Sequence, residues 1–328
     1  MKRAGNLIPL IATYDNLMLA HYKAKRGKAF KPDVRAFSQN LHTNLRQLQT
    51  QILSGQVEVG NYHYFTVYDP KERIICAAAY PERVLHHAIM NICHPAFEKF
   101  QICHSYATRI GKGTFKAVEQ ARLFQKKYSH YCKFDIRKYF DSIDHHTLLL
   151  MLQCRFKDPV LLRIFEAIIK SYQVAPGKGI PIGNLTSQYF ANHYLALLDH
   201  YVLEQLQAPA YVRYMDDFII WHNHAATLAQ IAQKVAHFLQ TQLQLTLKTN
   251  CINTAVNGLP FLGFRLFYNK ILLSKRSKKR FLKKSRNLVC LLVREQISEK
   301  QYQVQATALL AFVRRAYSKK VILNCQTL

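Results

Sequence analysis

The stretch Ala210-Tyr-Val-Arg-Tyr-Met-Asp-Asp-Phe-Ile-Ile-Trp221 decides the fold, because it sets two adjacent carboxylates, Asp216 and Asp217, between apolar runs. The β-branched and aromatic residues on both sides predict a strand, a tight turn and a second strand. A hairpin that presents acidic groups from an apolar sheet can hold a hard metal ion through oxygen ligands. Most Asp-Asp pairs are solvated turns, so this interpretation depends on a further carboxylate elsewhere.

A third carboxylate, Asp135, lies about 80 residues upstream. The segment Tyr131-Cys-Lys-Phe-Asp-Ile136 alternates with a period of two, which predicts a strand that carries Lys133 and Asp135 on one face. If this strand pairs with the hairpin, Asp135 faces Asp216 and Asp217. Such a cluster suits Mg²⁺, and two ions about 3.5–4 Å apart can clamp the attacking and leaving oxygens of a phosphoryl transfer. The alternative is three unrelated surface acids.

Three segments together resemble the palm motifs of reverse transcriptases, in the same order along the chain. They are Phe134-Asp-Ile-x-x-x-Phe140, Tyr214-Met-Asp-Asp217 and Phe261-Leu-Gly-Phe264. Where most of that family carries Gln-Gly-x-x-x-Ser-Pro, this chain has Ile182-Gly-Asn-Leu-Thr-Ser-Gln188. This variant resembles the reverse transcriptases of bacterial and phage diversity-generating retroelements. The resemblance covers about residues 60–270.

The charge of the chain points independently to a polyanionic partner. The 328 residues include 46 Lys and Arg against 19 Asp and Glu, a net charge of +27. An excess of this size repels itself unless a polyanion neutralises it, and nucleic acid is the obvious candidate. A membrane surface is the alternative, but the charge is spread along the chain and forms no isolated basic amphipathic helix.

The cysteines and the N-terminus indicate a reduced, cytoplasmic protein. None of the eight cysteines forms a Cys-x-x-Cys pair, and their apolar surroundings predict buried thiols. Cys93-His94 and Cys103-His104 fit no common zinc spacing and lie in sequence that reads as helical. Asn6, Pro9 and Asp15 interrupt the apolar start, which argues against a signal peptide. No apolar run approaches the ~18–20 residues of a membrane span.

The pattern of elements predicts an α+β protein, and the resemblance implies a right-hand polymerase with an antiparallel palm sheet. Residues 1–60 are expected to form an N-terminal helical extension and residues 61–130 the fingers. Residues 131–270 would form the palm, with a finger segment interleaved at about 150–182. Residues 271–328 would form a basic helical thumb.

The resemblance assigns the chemistry to the acidic cluster. It implies that Asp135, Asp216 and Asp217 are the catalytic carboxylates and that they bind two Mg²⁺ ions together with the backbone carbonyl of Ile136. Mn²⁺ would be a possible substitute. Bound ions of this kind lower the pKa of a coordinated hydroxyl and neutralise the triphosphate.

Seven residues are expected around the incoming deoxynucleoside triphosphate (dNTP): Lys71, Arg73, Phe140, Ile182, Gly183, Ser187 and Lys248. By resemblance, the two finger cations bind the triphosphate, the aromatic ring excludes a 2′-hydroxyl, and the glycine lets backbone approach the template base. Isoleucine replaces a glutamine that can hydrogen-bond the nucleotide, so base-pair checking should be looser. The alternatives are a solvated strand face for the cations, a core position for the ring, and an ordinary strand position for Lys248.

A further set is expected to bind the template and primer. The residues are Arg109, Phe261, Gly263, Lys278, Lys279, Arg280, Lys283 and Lys284. The first belongs to a finger motif, the next two to a turn that resembles the primer grip, and the others to Ser274–Arg286, which carries eight cations in thirteen residues. A solvated basic face is the alternative for this last segment.

The leading hypothesis is an RNA-directed DNA polymerase that copies a template RNA into cDNA with errors at template adenines. Its partners would be the template RNA, a DNA or RNA primer and dNTPs, and by resemblance a small basic helical accessory protein. The competing hypotheses are a group II intron or retron-type reverse transcriptase and, in a different class, a non-catalytic RNA-binding scaffold with the same fold. The expected location is the cytoplasm of a bacterial or phage-infected cell.

Overall fold

The computed structural model describes residues 2–68, 72–314 and 316. The helices are α1 (Ile8–Ile11), α2 (Tyr14–Lys25), α3 (Pro32–Gln39), α4 (Leu41–Ser54), α5 (Tyr80–Glu98), α6 (Thr114–Lys127), α7 (Tyr139–Ser142), α8 (His145–Gln153), α9 (Pro159–Lys170), α10 (Leu185–Tyr194), α11 (Ala196–His200), α12 (Ala225–Gln242), α13 (Lys275–Val293) and α14 (Glu299–Val313). The strands are β1 (Tyr62–Val67), β2 (Arg73–Ala78), β3 (His130–Ile136), β4 (Ala210–Tyr214), β5 (Asp217–His222), β6 (Leu247–Thr254), β7 (Leu259–Phe261), β8 (Phe264–Leu266) and β9 (Ile271–Leu273). These elements confirm the α+β class.

A four-stranded antiparallel sheet in the order β4-β5-β3-β6 lies at the centre. Its strands alternate as the sequence predicts, so the two faces bury different residues. Cys132 and Phe134 face a core that includes α5 and α8 to α12. Tyr131 and Trp221 face a second core formed with α6 and the small sheet β7-β8-β9. Both faces are therefore covered, and the functional groups lie at the ends of the strands.

The N-terminal helices belong to the same core as the central sheet. Ile8, Leu17 and Leu45 are buried within it. The Asp158 carboxylate caps α9 by accepting from Leu161 N, and it also accepts hydrogen bonds from the backbone N–H groups of residues 7 and 8. Residues 2–54 are thus joined to α9 by packing and by a shared carboxylate.

Two outer parts flank the central sheet. The hairpin β1–β2 projects with Tyr64 and Phe65 exposed. On the other side, the three-stranded sheet leads into α13. The N-cap of this helix is Ser274, whose side chain accepts a hydrogen bond from Ser277 N. Ser298 forms a capping box at the start of α14. Of the described residues, no helix is long and apolar enough to cross a membrane.

The thiols differ in part from the sequence prediction. All seven cysteines of the described residues are free. Cys76, Cys93 and Cys132 are buried as predicted, but Cys103, Cys154, Cys251 and Cys290 are exposed. Cys103 also lies in the loop between α5 and α6, not in a helix. Local apolar sequence was a poor guide here, because these positions fall on loops, edges and outer helix faces.

Candidate active site

The two adjacent carboxylates lie at a two-residue turn between β4 and β5. Tyr214 pairs with Asp217, so Met215 and Asp216 form the turn, as the sequence predicts. Met215 has left-handed backbone geometry, with φ of 57°. Such a conformation costs on the order of 1–3 kcal/mol in a residue other than glycine and persists only where its surroundings hold it. The turn is therefore a constrained element.

The third carboxylate meets this turn across the sheet. Asp135 lies directly opposite Asp217 in the antiparallel pair β3–β5. A register shift between Asp135 and Ile136 follows on the other side, against β6. Such an irregularity re-aims side chains at the end of a strand. The structure thus brings together the strand and turn positions that the sequence selected.

Burial and mutual repulsion perturb the acids. Burial raises the pKa of Asp217 to about 6; the Lys133 ammonium opposes this shift, while Asp216 and Asp135 add to it. Burial also raises the pKa of Asp216, with Asp135 adding to the shift, while Arg73 and Lys133 act against it. Asp216 and Asp217 are thus each destabilised by neighbouring carboxylates, which is the electrostatic condition that a bound cation relieves.

The donor set fits a hard divalent cation. In the described parts of the chain, no three His, Cys, Asp or Glu side chains converge closely enough to hold a metal ion. Asp217 Oδ2 accepts a hydrogen bond from Lys133 Nζ at 3.0 Å. The other oxygen, Asp217 Oδ1, is buried without a hydrogen-bond partner. An orphaned carboxylate oxygen beside two other carboxylates matches the oxygen coordination that Mg²⁺ and Mn²⁺ prefer.

A buried ion pair next to the Met215–Asp216 turn supports it. The Arg213 and Asp199 side chains are both 0% exposed, and Nη2 lies 2.5 Å from Oδ2. Burial alone would lower the pKa of Arg213, but the Asp199 carboxylate raises it. Tyr211 Oη also donates to Asp199, at 2.7 Å. Arg213 Nη1 donates to Asn192 Oδ1 at 2.7 Å and to the Met215 carbonyl at 3.2 Å. The guanidinium therefore fixes the strained residue next to Asp216.

The segment before α10 lies against the finger hairpin. Cys76 N donates to the Ile182 carbonyl at 2.8 Å, and Ala78 N donates to Asn184 Oδ1 at 3.2 Å. Gly183 has φ of 126°, and a Cβ there would lie 2.8 Å from Ile75 Cγ2. The close approach that this glycine permits is to β2, and an approach to a template base stays a prediction. Ser187, two residues into α10, is buried.

The remaining nucleotide-site candidates take different places. Phe140 is half-buried in α7, and its carbonyl accepts from Ile180 N at 2.9 Å. Arg73, at the start of β2, is exposed and close enough for its charge to lower the pKa of Asp216. Lys71 lies outside the described residues. Lys248 lies in β6 near the register shift, and its side chain is also outside the described part.

The Phe261–Phe264 turn has the geometry of a tight hairpin. Leu262 and Gly263 have φ of 47° and 85°, and two successive positive values are typical of a type I′ turn. A Cβ on Gly263 would lie 2.9 Å from Ser277 Oγ and 3.2 Å from Phe312. The glycine thus makes room for the last two helices. Phe261 is 1% exposed, so its side chain packs in the second core and is unavailable to a primer.

Arg109 is engaged within the fold. Its guanidinium donates to both carboxylate oxygens of Glu98, at 2.6–3.1 Å, and to the carbonyls of Ile102 and Ser105. The side chain is 7% exposed. In this structure the donors of Arg109 hold the loop between α5 and α6, and the template contact expected for Arg109 stays a prediction.

A basic groove separates the hairpin from the last two helices. All five expected cations of α13 are exposed: Lys278, Lys279, Arg280, Lys283 and Lys284. All but Lys278 line a cavity of about 980 Å³ that reaches from Tyr68 to Leu309 on α14. Leu288 and Leu291 form part of its apolar floor. The groove offers cations and apolar surface together.

Sequence reasoning missed Lys133 and the Arg213–Asp199 pair. A charged residue inside an apolar run is the one signal that could have found Arg213 within Tyr211-Val-Arg-Tyr214. The partners Asp199 and Pro260 lie 14 and 127 residues away from Arg213 and Lys133, so no local pattern connects them.

Comparison with known proteins identifies the family to which the chain is similar. The family model "Reverse transcriptase (RNA-dependent DNA polymerase)" matches residues 69–266. No curated protein matches the sequence. Apo telomerase from Candida tropicalis is 12% identical with a TM-score of 0.50, over 73% of this chain and 54% of that one. Telomerase from Candida albicans in complex with the TWJ fragment of telomeric RNA is 10% identical with a TM-score of 0.48, over 65% and 46%. The chain spans about half the length of these structures.

Proposed function

The chain belongs to the reverse transcriptase family, and we propose that it copies a template RNA into cDNA as the polymerase of a diversity-generating retroelement. RNA-directed DNA polymerase activity is the property of the family, and the fold is that of a right-hand polymerase with an antiparallel palm sheet. The observation that carries the catalytic part is the juxtaposition of Asp135 and Asp217 beside the Asp216 turn.

In this proposal the subdomains occur in order along the sequence, with one finger segment interleaved in the palm. Residues 1–60 form a helical extension, 61–130 the fingers, and 131–270 the palm with a finger segment at about 150–182. Residues 271–328 would form the thumb, of which the structure describes β9, α13 and α14. The template–primer duplex would occupy the basic groove, where lysines and arginines neutralise phosphates.

The chain's own residues would position the reactants. Asp135, Asp216, Asp217 and the Ile136 carbonyl would hold two Mg²⁺ ions. When bound, such ions polarise phosphoryl oxygens and offset developing negative charge. Arg73 and Lys71 would bind the triphosphate.

Four further residues complete the proposed nucleotide site. Phe140 would close the space beside the sugar 2′ position. Gly183 and Ser187 would shape the start of α10 beside the nascent base pair, and Lys248 would lie near the leaving pyrophosphate. The Gly263 turn would support the primer terminus through its backbone.

The retroelement assignment rests on Ile182-Gly-Asn-Leu-Thr-Ser-Gln188. An isoleucine at the first position lacks the amide that would hydrogen-bond a nucleotide, which is consistent with relaxed selection of the incoming base. With this assignment come the adenine-directed errors, a bacterial or phage-infected cytoplasm as the location, and a small basic helical accessory protein bridged to the chain by RNA.

Primer extension tests the proposal. The purified chain, an RNA template with an annealed primer, dNTPs and Mg²⁺ should yield cDNA, and Asp216→Asn should abolish incorporation while RNA binding persists. Sequencing of the cDNA should show errors concentrated opposite template adenines. An even error spectrum would favour the intron or retron-type alternative. RNA binding without extension on any template would favour the scaffold.

A further inference from the structure

Lys133 joins two parts of the molecule that its strand alone does not connect. It lies on β3 two residues before Asp135, on the same face. Its ammonium donates to Asp217 Oδ2 at 3.0 Å and to the Pro260 carbonyl at 2.9 Å. It also lies 5.9 Å from the centroid of the Phe261 ring. One side chain therefore contacts both the acidic hairpin and β7.

The second contact crosses between two sheets. Pro260 belongs to the sheet β7-β8-β9, which is separate from the sheet that carries the aspartates. Tyr131 lies two residues before Lys133 on the same face of β3, and its hydroxyl donates to the Gly258 carbonyl at 3.1 Å. Alternate residues of β3 thus hold the β7 segment, and Lys133 is the one of these two that also bonds an aspartate.

The link continues toward the basic groove. β7 ends at the turn whose Gly263 carbonyl accepts from Ser274 N at 3.0 Å. Ser274 is the N-cap of α13. A path therefore runs from Asp217 through Lys133 to Pro260 by hydrogen bonds, along the backbone to Gly263, and by a further hydrogen bond to the N-cap of α13.

We propose that Lys133 is a positioning residue that fixes the distance between Asp217 and the 261–264 turn and limits the charge that Asp217 offers to metal. The proposal rests on the proposed function, since it refines the same site. An ammonium has three donors and no acceptor. Two of the three are satisfied by Oδ2 and the Pro260 carbonyl, which leaves the unpartnered Oδ1 as the oxygen available to a cation. The 261–264 turn and the acidic cluster are thereby held at a fixed distance from each other.

Three variants at this position separate charge from geometry. Lys133→Met keeps the apolar stem and removes both bonds and the charge. Lys133→Gln removes the charge and keeps an amide donor, and it covers the case in which the Met variant does not fold. Lys133→Arg keeps the charge and the donors. Lys234→Met, at an exposed position of α12, is the matched control for loss of one positive charge.

Two readouts need no catalysis. Mn²⁺ binding by the nucleic-acid-free chain, followed by electron paramagnetic resonance, should tighten roughly tenfold in Lys133→Met and Lys133→Gln, because a cation beside the carboxylates is lost. Hydrogen–deuterium exchange across 259–266 should speed up in Lys133→Met. Lys133→Arg and Lys234→Met should resemble the wild type in both. In primer extension, the turnover rate of Lys133→Met should fall by on the order of tenfold, through misplacement of the primer end.

The outcomes distinguish this inference from the proposed function. Unchanged Mn²⁺ affinity in the Met and Gln variants, together with unchanged exchange in Lys133→Met, would overturn the coupling, even if the wild type makes cDNA. A wild type that makes no cDNA would contradict the proposed function. Tighter Mn²⁺ binding in the Met and Gln variants and faster exchange in Lys133→Met would still support the coupling. A purely structural role would lower stability without tightening metal binding.

Discussion

Asp135 and Asp217 face each other across the antiparallel pair β3–β5, each at the end of its strand that lies next to the turn. The pairing makes the spacing of the carboxylates a property of sheet register, because a slip by one residue would turn either side chain to the opposite face. Asp216 is held differently, through a turn whose strained residue bonds a buried arginine. The site thus combines a rigid sheet with a supported turn.

RNA affinity should fall steeply with salt. The net charge of +27 and the exposed cations of α13 predict many phosphate contacts. The slope of log affinity against log salt should be near −0.7 to −0.9 per phosphate neutralised. Lys283→Ala and Lys284→Ala should each make it shallower by roughly one contact, whereas Lys234→Ala should not. A slope equivalent to fewer than about three contacts would contradict a template channel.

Phe140→Ala should weaken selection against ribonucleotides. The backbone of this half-buried residue is fixed by Ile180 N, so the substitution removes the ring and leaves the local path intact. Loss of a steric wall of this kind changes discrimination by roughly tenfold to a hundredfold. Single-nucleotide incorporation of rNTP against dNTP measures it. If discrimination between rNTP and dNTP is unchanged while activity is retained, Phe140 only packs in the core.

Ile182→Gln should lower misincorporation opposite template adenine. The carbonyl of this residue is bonded to Cys76 N, so the backbone stays in place and only the side chain changes. One added hydrogen bond contributes roughly 0.5–1.5 kcal/mol, which corresponds to about two- to tenfold in a rate ratio. Sequencing cDNA from both proteins on one RNA provides the comparison, with errors opposite the other three bases as internal control. Equal adenine errors would place the cause elsewhere, with Arg73 as the next candidate.

Gly263→Ala should destabilise the chain more than Gly111→Ala. Both glycines have positive φ, 85° and 71°, so both substitutions cost roughly 1–2 kcal/mol of backbone strain. At Gly263 the new Cβ would also lie 2.9 Å from Ser277 Oγ, whereas at Gly111 nothing lies within 4 Å. Urea unfolding of the two variants isolates the contacts with Ser277 of α13 and Phe312 of α14. Equal losses would show that the helix accommodates the methyl group.

Stability should fall as the pH drops below about 6.5, in part through His193. Burial lowers the pKa of this histidine to about 4. Between its ordinary value of 6.5 and 4, the unfolded chain takes up a proton that the folded chain does not, so acid favours unfolding in that window. The contribution is about 2 kcal/mol between pH 7.5 and pH 5. His193→Gln should remove it, and His146→Gln, at an exposed position, is the control for loss of one imidazole.

The hydrophobic periodicity and the turn residues of the sequence predicted most of the architecture. The alternation around Asp135 gave the correct face, and the apolar runs beside Asp216 gave the hairpin. The sequence did not indicate that the side chains of Arg109 and Phe261 are engaged within the fold, because a motif indicates where a residue lies in the chain and not what its side chain contacts. The bonds of Lys133 depend on the packing of two sheets, which is a tertiary property.

The buried Arg213–Asp199 pair restricts how this sequence can drift over evolutionary time. A substitution at either residue leaves the other charge buried alone, which costs about 3–5 kcal/mol. A loss of this size is a large part of the total stability of a typical protein. Descendants of this chain are therefore expected to retain both residues or to exchange both, and a lineage that lost one would first need a compensating gain elsewhere.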